Sequence, residues 1–87
     1  MNEQPKYLEK AKKTYEYHRS KLLFNDRWTT VETAKSLKRS IGSVSEDLLI
    51  ARWSKTHELQ LEKFKYGYEA LEYIREKQKE QDTTEIK

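Results

Sequence analysis

Residues 28–52, which read WTTVETAKSLKRSIGSVSEDLLIAR, constrain the fold of this chain more than any other stretch. Glu32 follows Thr29 by three positions, which is the spacing of a capping box. In that motif the threonine hydroxyl accepts from a backbone N–H of the first helical turn, and the glutamate reaches back to the N–H of the cap. Small or apolar residues then recur at every third position, as Val31, Ala34 and Leu37. The pattern predicts a short amphipathic helix that ends at about Lys38.

A second helix is predicted to begin almost at once. Ser40 has the short polar side chain that is preferred at a helix N-cap. The inner face of the helix is marked by the apolar residues Val44, Leu48 and Ala51. Two short helices joined by so few residues must cross at a steep angle. Their closest approach requires a small side chain, and Ala34 is placed to provide it.

The segment ETAKSLKRSIGSVSEDLL resembles the helix-turn-helix of the bacterial and phage repressor superfamily. It looks especially similar to the segments found in ParB-type partition proteins and in small phage DNA-binding proteins. In this resemblance Ala34 falls on the small residue at the helix crossing, and Leu37 on the apolar residue before the turn. Val44 and Leu48 fall on the buried positions of the second helix. The resemblance covers about 25 of the 87 residues and implies a fold that binds duplex DNA.

The turn departs from the pattern of that family. The family usually has glycine where the backbone adopts a positive φ, whereas this chain has Lys38. A side chain tolerates that conformation less well than glycine does, at a cost of about 1 kcal/mol.

Length and composition predict one small all-α domain. The chain has 87 residues, two glycines and one proline, which favours helices over a turn-rich β fold. We expect four to five helices around a helix-turn-helix at 29–53, within a single domain of residues 1–80. The last residues, 81–87, have no apolar period and are expected to form a disordered tail.

The helices on either side of this unit follow from apolar spacing. A first helix from Lys6 to about Phe24 is predicted to bury one face, formed by Leu8, Ala11, Tyr15, His18 and Leu22. Trp28 is expected in the core. After Trp53, Ser54 to His57 are interpreted as a turn, and Leu59 and Leu61 as a short helical segment. A last helix is predicted from Tyr68 to about Lys79.

Several classes of protein lack support in the sequence. There is no cysteine, no phosphate-binding glycine loop and no H-E-x-x-H motif, and the two histidines are isolated, so we expect no catalytic residue, no metal and no cofactor. The longest apolar run is Leu48–Ala51, which is far too short to span a membrane, and no signal peptide is evident. We expect a cytoplasmic protein, located in a bacterial host cell or its nucleoid.

The charge distribution suits an acidic partner. Residues 1–28 contain seven Lys or Arg against four Asp or Glu, and residues 29–58 contain five against four. Residues 59–87 contain six against seven. The positive excess therefore lies in the first helix and the helix-turn-helix, as expected for a basic face that meets a polyanion.

The resemblance implies which residues would meet DNA, because the second helix of such a unit enters the major groove. By the register that Ala34 sets, the base-facing residues are Ser40, Ile41, Gly42, Ser43, Ser45 and Glu46. The residues expected to meet phosphates are Lys35, Lys38, Arg39 and Arg52. Backbone N–H groups at the start of the second helix are a further site for a phosphate oxygen.

These residues include few side chains that form strong hydrogen bonds with base edges. No arginine, asparagine or glutamine stands among the base-facing positions, and Glu46 and Asp47 repel phosphates. We therefore expect modest affinity from one copy and binding as a homodimer. The apolar surface that we assign to self-association lies on the last helix, at Tyr66, Tyr68, Leu71 and Ile74.

The sequence is compatible with three functions. The first is a sequence-specific regulator of transcription from a phage or plasmid, which binds double-stranded DNA as a dimer. The second is a DNA-recognition subunit that resembles phage small terminase subunits. The third is a protein-interaction module that has kept the fold and lost its DNA affinity, and the acidic pair Glu46–Asp47 is its best support.

Overall fold

The computed structural model describes the backbone of residues 4–86 and the side chains of residues 4–80. Four helices follow one another along the chain: α1 (Lys6–Phe24), α2 (Thr30–Leu37), α3 (Ile41–Leu61) and α4 (Gly67–Ile86). No strand occurs within residues 4–86, so the predicted all-α class is confirmed. The backbone of residues 81–86 belongs to α4, and the side chains of 81–87 lie outside the described ones. The disordered tail predicted for 81–87 stays a prediction.

Both predicted cap residues bond to the first turn of their helix through the side-chain hydroxyl. The Thr29 hydroxyl accepts from the backbone N–H of Glu32 at 3.4 Å. The Ser40 hydroxyl accepts from the backbone N–H of Ser43 at 3.1 Å. Each cap satisfies a donor that the first helical turn leaves without a partner, which explains why α2 and α3 begin where they do.

Lys38 ends α2 in the left-handed conformation, with φ 58° and ψ 45°, as the resemblance implies. It is the single non-glycine residue with positive φ along the described backbone. The reversal lets the N–H of Arg39 bond to the carbonyl of Ala34 at 2.9 Å, which closes the helix end. A turn of three residues, 38–40, therefore connects α2 to α3.

Replacing Lys38 by glycine should stabilise the fold by about 1 kcal/mol, because glycine adopts positive φ without a Cβ penalty. The matched control is Lys35→Gly, in the exposed part of α2, which should destabilise by about the same amount. Urea denaturation of the two variants measures both changes. Equal destabilisation by both glycines would contradict the left-handed turn.

α3 is longer than the sequence predicts, since it continues to Leu61 instead of ending at Trp53. Of the predicted turn at 54–57, only His57 departs from helical geometry, with φ −128° and ψ 31°, and it bends the helix. Ser54 does not interrupt α3, because its hydroxyl donates to the carbonyl of Ala51 at 2.6 Å and its side chain is buried.

The core joins α1, the distal half of α3, and α4. Its buried apolar residues are Leu8, Ala11, Ile50, Ala51, Leu61, Ala70, Leu71 and Ile74. The most extensive contact is between α1 and α3, and the Tyr7 hydroxyl donates to the carbonyl of Leu61 there. Burial, with smaller contributions from Glu69 and Glu62, raises the pKa of Tyr7 to about 12, so the phenol stays protonated as a donor.

Two predicted core positions lie elsewhere. Leu22 is 36 % exposed, because the last turn of α1 extends beyond the helices that cover its earlier part, and Leu23 and Phe24 are more exposed still. Trp28 is half-buried outside the main apolar cluster, and its Nε1 donates to the Thr33 hydroxyl at 2.6 Å. The predicted burial of Leu22 is therefore wrong, and that of Trp28 is only partly right.

Candidate nucleic-acid interface

The N-terminal end of α3 with its cap, residues 40–46, forms a largely exposed surface that we call the α3 tip. The five exposed residues among the predicted base-facing positions are Ser40, Ile41, Gly42, Ser45 and Glu46. Val44 points inward and is fully buried. The apolar contacts of α4 are made with the distal half of α3, at Ile50, Ala51 and Leu61, so they leave the α3 tip uncovered.

Gly42 leaves open space on this surface. A Cβ built on Gly42 would meet no atom within 4 Å, so the glycine is not required by packing inside the protein. Its φ is not positive, so the backbone does not require it either. The absence of a side chain therefore exposes the backbone of the α3 tip to a close approach by a ligand.

Three of the four cations predicted to meet phosphates are exposed around the α3 tip. Lys35 lies in the last turn of α2, and Lys38 lies in the turn itself. Arg52 follows Ser45 by seven residues on α3, which places the two side chains on the same side of the helix. None of these cations forms an ion pair with a carboxylate among the side chains of residues 4–80.

Arg39, the fourth predicted phosphate ligand, points into the protein. Its Nη2 lies 2.8 Å from Asp47 Oδ2, and the two side chains are only 20 % and 10 % exposed. Its Nη1 donates to the Thr14 hydroxyl at 2.9 Å, and its Nη2 also donates to the Ser43 hydroxyl at 2.5 Å. We call Thr14, Arg39, Ser43 and Asp47 the Arg39 cluster. Since Nη1 and Nη2 both bind within this cluster and the side chain is only 20 % exposed, Arg39 is removed from the candidate phosphate contacts.

The same cluster changes the interpretation of two other residues. Asp47 is neutralised by Arg39 and accepts from the Thr14 hydroxyl at 2.9 Å, so it does not repel phosphates as the sequence suggested. Ser43, a predicted base-facing residue, is half-buried and its hydroxyl accepts from Arg39. Glu46 is then the one acidic side chain that the α3 tip exposes.

A second polar cluster holds α2 against α1, and it centres on Thr33. The Thr33 side chain is fully buried, and its hydroxyl lies 2.6 Å from His18 Nδ1 and accepts from Trp28 Nε1. No pattern in the sequence singles out Thr33, because a threonine in a helix is ordinarily exposed to solvent. His18 lies on the predicted inner face of α1 and meets the Thr33 hydroxyl of α2, so the histidine is a packing residue with a polar partner.

The predicted self-association surface is divided by the fold. Tyr66 and Tyr68 are exposed and stack on each other, with ring centroids 5.7 Å apart and planes 10° apart. Leu71 and Ile74 are 7 % and 0 % exposed, because they pack inside the core. The assignment of Leu71 and Ile74 to an interface is therefore wrong, and Tyr66 and Tyr68 remain as candidates.

Comparisons with known proteins assign no family to this arrangement. The chain matches no family model, no curated protein and no solved structure. Among the described residues, no group of three or more His, Asp or Glu is placed to hold a metal ion. Nor does the described part contain a helix both long enough and apolar enough to cross a bilayer.

Proposed function

We propose that this chain binds double-stranded DNA by placing the α3 tip in the major groove. The proposal depends on one observation: the α3 tip is exposed, whereas the other end of α3 packs in the core of the domain. An α-helix fits the width of the major groove, and a helix-turn-helix presents the start of its second helix to base edges.

The exposed side chains of the tip suit such a contact. The hydroxyls of Ser40 and Ser45 donate or accept hydrogen bonds, and Ile41 offers an apolar contact to a thymine methyl group. Glu46 accepts from a cytosine amino group and disfavours the acceptor-rich edge of guanine. Gly42 allows the backbone to approach the bases.

The phosphate contacts are assigned to the exposed cations. Lys35 and Lys38 lie before the tip in sequence, and Arg52 lies about two turns after Ser45, so the three can bind the backbone on either side of the groove. We propose a small transcriptional regulator of a phage or plasmid, in the cytoplasm of a bacterial host. A homodimer, with Tyr66 and Tyr68 at its interface, would supply the affinity that one copy lacks.

Fluorescence anisotropy of a labelled random-sequence duplex across a salt series tests the proposal. Affinity should fall as salt rises, because each neutralised phosphate releases counterions. Replacing Lys35, Lys38 and Arg52 together by alanine should reduce the slope of log affinity against log salt by about two to three. The absence of binding by the unmodified chain at low salt would overturn the proposal and favour a protein-interaction module.

The matched control removes the same charge from another surface. Lys63, Arg75 and Lys79 are exposed and lie on α4 or on the connection before it. The triple alanine variant at these positions should leave the slope nearly unchanged. If both triple variants lost the same slope, net charge alone would govern binding, and the assigned face would be wrong.

A further inference from the structure

A second basic cluster lies outside the helix-turn-helix, where the middle of α1 meets α3. Lys55 Nζ donates to the Tyr15 hydroxyl at 2.9 Å and lies 4.6 Å from the centroid of the same ring. Arg19 Nη1 approaches the same hydroxyl at 3.5 Å. We call these three residues the Tyr15 cluster. In this cluster the ammonium of Lys55 and the guanidinium of Arg19 both donate to the neutral Tyr15 oxygen at an exposed site.

The described side chains provide no acidic partner for these two charges. Among the side chains of residues 4–80, neither Arg19 nor Lys55 forms an ion pair within 4 Å. Glu58, one turn after Lys55 on α3, is instead engaged by Lys12 and by the amide of Gln4. Two like charges held together without a counter-charge raise the free energy of the site, and an anion that bound there would lower it.

The hydrogen-bonding capacity of the cluster suits an oxyanion. The Tyr15 oxygen accepts from Lys55 and Arg19, so its own O–H proton is free to donate outward. The hydrogen bond from Lys55 lowers the pKa of Tyr15 below its ordinary value, which makes that O–H a stronger donor. The remaining N–H groups of Lys55 and Arg19 add donors on the same side. Phosphate oxygens favour such charged donors.

The position of the cluster connects it to the proposed DNA face. Lys55 follows Arg52 by three residues on α3, which places it about 60° around the helix and less than 5 Å further along the axis. That rotation is toward α1, because Lys55 contacts Tyr15 of α1. The cluster thus lies on the flank of the exposed side of α3, beyond Arg52 as seen from the α3 tip.

We propose that the Tyr15 cluster binds a phosphate group, and that this phosphate belongs to the backbone of the duplex whose groove receives the α3 tip. The proposal rests on the proposed function and extends it. Contact with DNA would then reach from the helix-turn-helix onto α1 and the middle of α3. Lys55 and Arg19 supply the charge, and Tyr15 holds them in place and donates the third hydrogen bond.

Duplex binding by an Arg19→Ala/Lys55→Ala variant tests the inference. We expect the affinity at about 0.1 M salt to fall about tenfold and the salt slope to fall by about two. The control is Arg75→Ala/Lys79→Ala, which removes the same charge from α4 and should change affinity less than threefold. Equal losses in both double variants would overturn the proposal.

A Tyr15→Phe variant tests the positioning role without changing charge. It should weaken duplex binding about threefold at an unchanged salt slope, because the same cations remain but lose their shared oxygen. Thermal unfolding followed by circular dichroism checks that each variant is folded. Unchanged affinity in Tyr15→Phe would contradict the role given to the hydroxyl.

Titration with inorganic phosphate separates this inference from the proposed function. The NMR signals of the Tyr15 ring should shift with phosphate in the unmodified chain and not in Arg19→Ala/Lys55→Ala. If duplex binding failed but this shift occurred, the DNA proposal would be wrong and the cluster would be a site for free phosphate. If duplex binding occurred and Arg19→Ala/Lys55→Ala left it unaffected, the cluster would play no part in it. Failure of both duplex binding and the shift would overturn the site altogether.

Discussion

Replacement of Ile74 by alanine is expected to lower the free energy of unfolding by about 4 kcal/mol. Ile74 is fully buried in α4, within the cluster that also contains Leu8 and Leu61. Truncation removes three carbons from a packed site and leaves a cavity that the surrounding helices fill only in part. For a domain of this size, with a total stability of about 5 to 10 kcal/mol, the loss is large enough to unfold a substantial fraction at elevated temperature.

Urea denaturation at two protein concentrations distinguishes a core residue from an interface residue. The loss caused by Ile74→Ala should be independent of concentration, since the side chain packs within one chain. Tyr68→Ser is the matched control on the same helix. Because Tyr68 is exposed, its replacement should change the stability of the monomer by less than about 0.5 kcal/mol. A concentration-dependent loss in Ile74→Ala, with a stable monomer, would restore Ile74 to the interface.

The parts of the fold that were predicted correctly depend on a few adjacent residues. The caps at Thr29 and Ser40 and the positive φ at Lys38 each involve groups within five positions of one another. Such local hydrogen bonds form in whatever tertiary context the helices find. The predicted span of α1 was also correct, since its apolar period begins at Leu8 and stops near Phe24.

Apolar spacing shows that a face is buried, but not which partner buries it. Leu71 and Ile74 lie on the apolar face of α4 whether that face is assigned to the core or to a dimer interface. Only the tertiary structure shows that α1 and α3 cover it. Leu22 continues the period of α1, yet it lies where no other helix reaches. The continuation of α3 past Ser54 was not predicted, because the serine was interpreted as ending the helix. Serine breaks helices only weakly, and the bond from its hydroxyl to the carbonyl of Ala51 is compatible with a helix.

The candidate site was predicted least well where charged residues are buried. Arg39 and Asp47 are eight positions apart in sequence, and charged residues are ordinarily predicted to be exposed to solvent. Their partner Thr14 lies on α1, so no local signal relates it to them. The exposed positions Ser40, Ile41, Gly42, Ser45 and Glu46 could be placed because the register follows from the turn.

Arg39→Ala is the second substitution with a large expected effect, a loss of about 3 to 5 kcal/mol in the free energy of unfolding. Asp47 is 10 % exposed, and without the guanidinium its carboxylate would keep only the hydroxyl of Thr14 as a partner. Leaving one charge of a buried pair without its counter-charge costs more than the pair contributes. Arg52→Ala, an exposed arginine on α3, should change stability by less than about 0.5 kcal/mol.

A double-mutant cycle isolates the interaction. Asp47→Ala should also destabilise strongly, because it leaves the largely buried Arg39 guanidinium with only neutral partners. The double variant Arg39→Ala/Asp47→Ala should lose less than the sum of the two single losses, by at least about 1 kcal/mol. Additive losses would show that Arg39 and Asp47 act independently, contrary to the 2.8 Å contact.

The same double variant separates the structural role of Arg39 from a contact with DNA. It has the net charge of the unmodified chain, so a uniform effect of charge on duplex binding is removed. If Arg39 is committed to Asp47, the salt dependence of binding should be unchanged at a temperature where the variant is folded. If Arg39 leaves the cluster to contact a phosphate, the slope should fall by about one. The Arg39 cluster would then exist only in the protein without DNA and would break on binding. The position of α3 would depend on the apolar core and the two helix caps alone.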